Sequence, residues 1–158
     1  MLLHITGSNK KNRKLVERAA WWYAEKLMGK RLMRGLEIHI NLRRNLITKE
    51  GCEGTAIWED DNCDRPREFT IELDLTYSIR DVLITLAHEL VHVKQYVLGE
   101  LKPVHNGFVF KKTLYSPNNL LEYFDQPFEI EAYGREKGLL VAFLDRWKLI
   151  EEELGIKI

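Results

Sequence analysis

The chain has 158 residues, with 24 lysines and arginines against 24 aspartates and glutamates, so its formal charge is zero. With 45% apolar and 30% charged residues it has an ordinary globular balance, and it is long enough to build one core without disulfide or metal staples. Neutrality disfavours broad electrostatic binding to nucleic acid or anionic lipid, and no apolar run approaches the roughly 20 residues of a membrane span.

Met1–Gly7 is too short and polar for a secretory signal, so the expectation is one cytoplasmic domain over residues 1–158. From Asn9 to Met28 the spacing predicts a helix. Leu15, Ala19, Trp22, Tyr23 and Leu27 recur at helical intervals, and Gly29 stands where it should stop. Its basic start, Lys10, Lys11, Arg13 and Lys14, opposes the helix dipole and reads as a solvated end rather than a nucleic-acid contact. A β region follows. Leu36, Ile38, Ile40 and Leu42 alternate with polar residues, Thr55–Trp58 is a shorter strand, and Phe69, Ile71, Leu73 and Leu75 alternate again. Together these predict a three-stranded meander. The acidic turn Glu59–Asp64 lacks calcium-loop spacing. Cys52 and Cys63 flank that hairpin, but without a secretory signal a bridge or thiol metal site is disfavoured.

The clearest helix runs from Ser78 to Leu98, opened by a Ser78/Asp81 capping box and closed at Gly99. Ile79, Leu83, Leu86, Leu90, Val93 and Val97 form one stripe suited to packing on a sheet. At about 100° per residue, His88 and His92 fall almost opposite that stripe. Few charges interrupt the segment, so a second layer is expected over the histidine face. The remaining chain supplies it: a turn at Asn106-Gly107, a short strand over Phe108–Lys111, a loop at Ser116–Asn119 and a helical region from Pro127. Phe143, Trp147, Ile150 and Leu154 continue an apolar stripe there, and Gly134 and Gly138 either permit close packing or break the helix in two.

His88-Glu89-Leu90-Val91-His92 carries chemistry. Residues four apart share a helix face, so both imidazoles can hold one metal ion, while Glu89 leans toward the same side and can take a proton from water. A chance occurrence in a chain of this composition is on the order of one per cent. A catalytic zinc needs a third protein ligand. The candidates are His105, Glu129 and Glu131; the two glutamates point to different faces of a helix, so only one of them can serve.

Thr85–His92 followed by Pro127-Phe128-Glu129-Ile130-Glu131-Ala132 resembles the gluzincin zinc metallopeptidases, especially the small single-domain metallopeptidases of phages and prokaryotes, some called minigluzincins. The resemblance covers roughly half the chain. It implies a zincin-like α+β fold, a Zn²⁺ cofactor, a peptide or protein substrate, and a third ligand on the later helix. The usual Glu-x-x-Ala form selects Glu129 with Ala132, over Glu131 with Gly134. The acidic residue that commonly follows the small one is absent, since Tyr133 stands there, so support for the histidines is unassigned. His105-Asn106-Gly107-Phe108 resembles less closely the His-Gly-x-x-Phe of SprT-like DNA-associated metalloproteases, in which His105 would be the ligand. The expected architecture is an N-terminal helix, the three-stranded sheet with Phe69–Leu75 as its possible edge, the HExxH helix and a covering C-terminal helical region. In that reading His88, His92 and Glu129 bind zinc, Glu89 is the general base, and Tyr123, Tyr133 or His105 stabilises the oxyanion. A non-catalytic zinc-binding interaction domain is the reading from another class; Glu89 argues against it, because a structural site has no need of a base.

Overall fold

The computed structural model describes residues 1–60, 65–116 and 122–154. Its elements, in order, are β1 (Leu2–Thr6), α1 (Lys10–Met33), β2 (Glu37–Arg43), α2 (Leu46–Glu50), β3 (Gly54–Trp58), β4 (Glu68–Asp74), α3 (Ile79–Val97), β5 (Leu101–Val104), β6 (Gly107–Phe110), β7 (Thr113–Tyr115), a 3₁₀ turn (Tyr123–Asp125) and α4 (Pro127–Leu154). The class is α+β.

The sheet departs from the expected meander. Its order is β1-β2-β4-β3, with β1–β2 and β2–β4 parallel and β3–β4 antiparallel. The chain leaves β2, passes through α2 to the far edge as β3, and returns as β4 into the gap between them. Alternating apolar residues specify which face of a strand is buried but not which strand lies beside it. Phe69–Leu75 is therefore central, not an edge, and β3 holds the edge. The first strand was also missed. Leu3 and Ile5 point inward between exposed Leu2, His4 and Thr6, but five residues on an edge give a short pattern. A parallel β1–β2 pair needs a long crossover, and α1 supplies it.

The helix α1 starts at Asn9, whose side chain accepts from the Asn12 N–H, and Arg13 of the basic start donates to Ser8 O at 2.7 Å, tying the turn that leads out of β1. Gly29 has φ 72° and interrupts the helical backbone, which resumes for one further turn to Met33. Ala19, Tyr23, Ile38, Ile40, Phe69, Ile71, Leu86 and Leu90 are buried in one core between α1, α3 and the inner sheet face.

The helix α3 begins as expected: Ser78 Oγ accepts from the Asp81 N–H, and Gly99 follows its end with φ 68°. Both of its faces are covered, since Leu83, Leu86, Leu90 and Val93 are buried and so are His88 and Glu89. The layer over the histidine side is α4, which runs unbroken past Gly134 and Gly138. A Cβ at either glycine would meet nothing within 4 Å, so they neither break the helix nor serve a close approach. A small antiparallel sheet, β5-β6-β7, lies between α3 and α4 in the chain; only its middle strand was anticipated. The disfavoured Cys52–Cys63 pairing, the acidic turn and the 116–119 loop fall at least partly outside the described residues. No helix among the described residues is long and apolar enough to cross a membrane.

Candidate metal and catalytic site

The i, i+4 spacing on α3 brings the two imidazoles together, with the Nε2 atoms of His88 and His92 3.1 Å apart. The first turn of α4 delivers Glu129, where the helix N-terminus favours a carboxylate. Its Oε2 lies 3.3 Å from His88 Nε2 and its Oε1 lies 3.6 Å from His92 Nε2. Of the three proposed third ligands, only Glu129 joins the cluster. Glu131 turns to Lys94 Nζ at 2.8 Å and Lys111 Nζ at 3.1 Å, with Arg135 also beside it. Burial works to raise the Glu131 carboxyl, but those lysines outweigh it and hold the pKa at about 2. His105 is exposed in the turn between β5 and β6.

Each histidine is held from behind by a residue that sequence reasoning missed. His88 Nδ1 lies 3.0 Å from Glu136 Oε2, and His92 Nδ1 lies 2.9 Å from Gln95 Oε1. The Gln95 amide donates in turn to Phe128 O at 3.0 Å, linking α3 to the turn that opens α4. The signal was available as spacing: Glu136 follows Glu129 by two helical turns, and Gln95 follows His88 by two. A carboxylate and an amide oxygen are both acceptors, so each Nδ1 must be the protonated nitrogen. Both Nε2 atoms of the neutral rings then present lone pairs, toward one another and toward the Glu129 carboxylate.

Three acceptors thus converge in a buried space into which neither neutral ring donates. Glu129 Oε2 is itself buried and lacks a hydrogen-bond partner. Such convergence is unfavourable unless a cation neutralises it. The separations suit one: ligands about 2.0–2.1 Å from a tetrahedral ion sit about 3.3 Å from one another, against the observed 3.1, 3.3 and 3.6 Å. Two imidazoles and a carboxylate are a donor set suited to zinc. Burial tends to discharge His88, but Glu129, Glu89 and Glu136 prevail and push its pKa up, so a proton competes with a metal ion for His88 Nε2. Burial likewise opposes the Glu129 carboxylate, yet the close approach of His88 and His92 brings its pKa down to about 2.

Glu89 lies beside this cluster at 6% exposure, and burial pushes its carboxyl up despite the two histidines. The edge strand rests directly over it. A Cβ at Gly54, the first residue of β3, would sit 2.5 Å from Thr85 Cγ2 and 3.1 Å from Glu89 Oε1, so only glycine lets β3 approach α3 this closely. His88 and Glu89 open onto a cleft of about 590 Å³ walled by Glu53 and Gly54 on one side and by Tyr123, Phe124 and Tyr133 on the other. The Tyr133 ring meets His88 edge-on at 4.6 Å. Burial and the Glu129 charge both push the Tyr123 phenol up, so it stays protonated and able to donate.

No family model matches the chain, and no curated protein or solved structure matches it either.

Proposed function

We propose that the protein is a zincin-like, gluzincin-type metallopeptidase that hydrolyses peptide bonds in a protein or peptide substrate. The observation that carries this reading is the convergence of His88 Nε2, His92 Nε2 and Glu129, whose buried Oε2 has no hydrogen-bond partner, next to the buried Glu89 carboxyl, which forms no salt bridge among the described residues. His88, His92 and Glu129 would hold Zn²⁺, with Glu136 and Gln95 fixing each Nδ1 as a donor and aiming each Nε2 inward. When bound, the ion supplies Lewis-acid polarisation of the scissile carbonyl and lowers the pKa of a coordinated water toward about 7.

The chain's own residues do the rest. Glu89 Oε takes the proton of the attacking water, for which its raised pKa makes it a stronger base, and returns it to the leaving amine. Tyr123 and Tyr133, which line the cleft, carry the hydroxyl donors assigned to a developing oxyanion. His105, exposed and remote from the cluster, has no part in this scheme, and with it goes the SprT-like ligand set. Because β3, not β4, is the sheet edge beside the cleft, the main-chain alignment of an extended substrate is assigned to Gly54–Trp58.

The test combines metal analysis with cleavage of a varied peptide library by wild type and Glu89→Gln. Zinc should be retained in both, and the variant should lose about 10²–10⁴-fold in turnover. Zinc in both proteins with cleavage in neither would overturn the peptidase reading.

A further inference from the structure

A second cluster with the same donor types lies on the other side of the sheet and has no part in the scheme above. His4 on β1 stands directly opposite His39 on β2 in the parallel register, and Glu37 is two residues before His39 on the same face. Neighbouring strands run about 4.8 Å apart, and the two rings accordingly stack with centroids 4.7 Å apart at 16°. His4 Nε2 and His39 Nε2 each lie 3.3 Å from the same oxygen, Glu37 Oε1. One ligand atom from each residue falls within 4.8 Å of the others, which among the described residues holds for only one other group, His88, His92 and Glu129.

We propose that His4, Glu37 and His39 form a second site for a divalent transition-metal ion, of the Zn²⁺, Ni²⁺ or Cu²⁺ class. Two imidazoles and one carboxylate suit those ions and not Mg²⁺ or Ca²⁺, which prefer all-oxygen shells. The 3.3 Å separations match the spacing of ligands about 2.0–2.1 Å from a shared tetrahedral ion. Stacked rings must tilt to aim both nitrogens at one point, and the half-exposed side chains are free to do so. The remaining positions of the ion stay open to solvent or to a donor from outside. Since β1 pairs in its sheet with β2 alone, an ion here joins the N-terminal strand to the next by a bridge additional to the backbone ladder.

Chelator-stripped, tag-free wild type and His4→Ala/His39→Ala would be titrated calorimetrically with Zn²⁺ and with Ni²⁺, alongside thermal unfolding with and without the ion. These side chains point away from the core, so the double variant should fold. It should bind one equivalent fewer than wild type and lose the part of the metal-induced rise in melting temperature that the bridge supplies. Removing even an outer partner of a metal ligand costs about 10–100-fold in affinity, so Glu37→Gln should weaken this equivalent by more than about tenfold. Equal stoichiometry in wild type and double variant, or a difference that appears only at millimolar ion, would overturn the proposal. The comparison does not depend on the His88 site, because the difference of one equivalent stands whether or not that site loads.

Discussion

Two trios of His, His and Glu occupy one small domain, and their environments could hardly differ more. In the buried trio the side chains of His88 and Glu129 are 9% and 6% exposed; in the other those of His4 and Glu37 are 51% and 38% exposed. Each buried imidazole has its Nδ1 fixed, by Glu136 or Gln95, so its tautomer and aim are set before any ion arrives. For His4 and His39 no hydrogen bond to Nδ1 is present among the described residues. Desolvating three converging acceptors is unfavourable, and a fold retains such an arrangement only where something offsets it. At the surface, water can satisfy the same atoms, and the trio stands with or without an ion. The donor set therefore says which metal fits; burial and backing determine how strongly the fold demands it, and the adjacent Glu89 and cleft determine whether chemistry can follow.

The sharpest way to break this contrast is to remove the carboxylate from each trio. Glu129→Ala should lower zinc affinity by more than about 100-fold, since the loss of an outer partner alone costs about 10–100-fold. Hydrolysis should fall with it. Glu37→Ala should leave hydrolysis within about twofold of wild type, because that trio lies on the opposite face of the sheet and surface changes are usually small in effect. Metal analysis after gel filtration, with peptide turnover on the same samples, reads both. A Glu37→Ala protein that loses turnover as severely as Glu129→Ala would erase the distinction between the sites.

A smaller effect should separate them by their backing. Glu136→Ala leaves the three ligands in place and removes only the acceptor behind His88. Zinc affinity or turnover should fall by about 10–100-fold, with Glu136→Gln recovering part of the loss through its amide oxygen. Titration against a competing chelator distinguishes weaker binding from slower chemistry. An unchanged affinity in Glu136→Ala would mean that burial alone holds His88 in place.

How far the sequence revealed these features depended on the range of the contacts involved. His88, Glu89 and His92 were legible because a helix converts spacing directly into geometry, and Ser78, Asp81 and Gly99 marked that helix's ends. Glu129 was identified by resemblance, and its separation from Glu131 became visible only once Lys94 and Lys111 were seen to claim the latter. The strand order was not legible. Nothing in the alternation of Phe69, Ile71 and Leu73 states that β4 inserts between β2 and β3, because neighbouring strands are chosen by tertiary packing. The same holds for the surface trio. His4 and His39 are 35 residues apart and meet only because an unforeseen β1 pairs in parallel with β2. Glu136 and Gln95 had helical spacing in their favour, but what each would touch depended on how α3 and α4 cross.

The smallest predicted effects contrast two glycines near the buried trio. At Gly54 a Cβ would come 2.5 Å from Thr85 Cγ2 and 3.2 Å from Glu72 O, so Gly54→Ala must push β3 away from the cleft floor. Overpacking of this kind costs about 1–3 kcal/mol, and turnover should fall as the edge strand lifts from Glu89. Thr85→Ser removes the methyl group that is struck first, so the double variant should recover part of both losses, a coupling that a double-mutant cycle measures directly. Gly134 lies on the exposed side of α4 only five residues from Glu129, but a Cβ there would meet nothing within 4 Å. Gly134→Ala should stabilise the helix by about 0.5–1 kcal/mol and leave zinc affinity unchanged. Urea unfolding of wild type, the two single variants and the double variant of that cycle, and Gly134→Ala provides the scale. If Gly54→Ala proved as benign as Gly134→Ala, the close seating of β3 over Glu89 would have no energetic consequence, and the edge strand would lose its claim to shape the cleft.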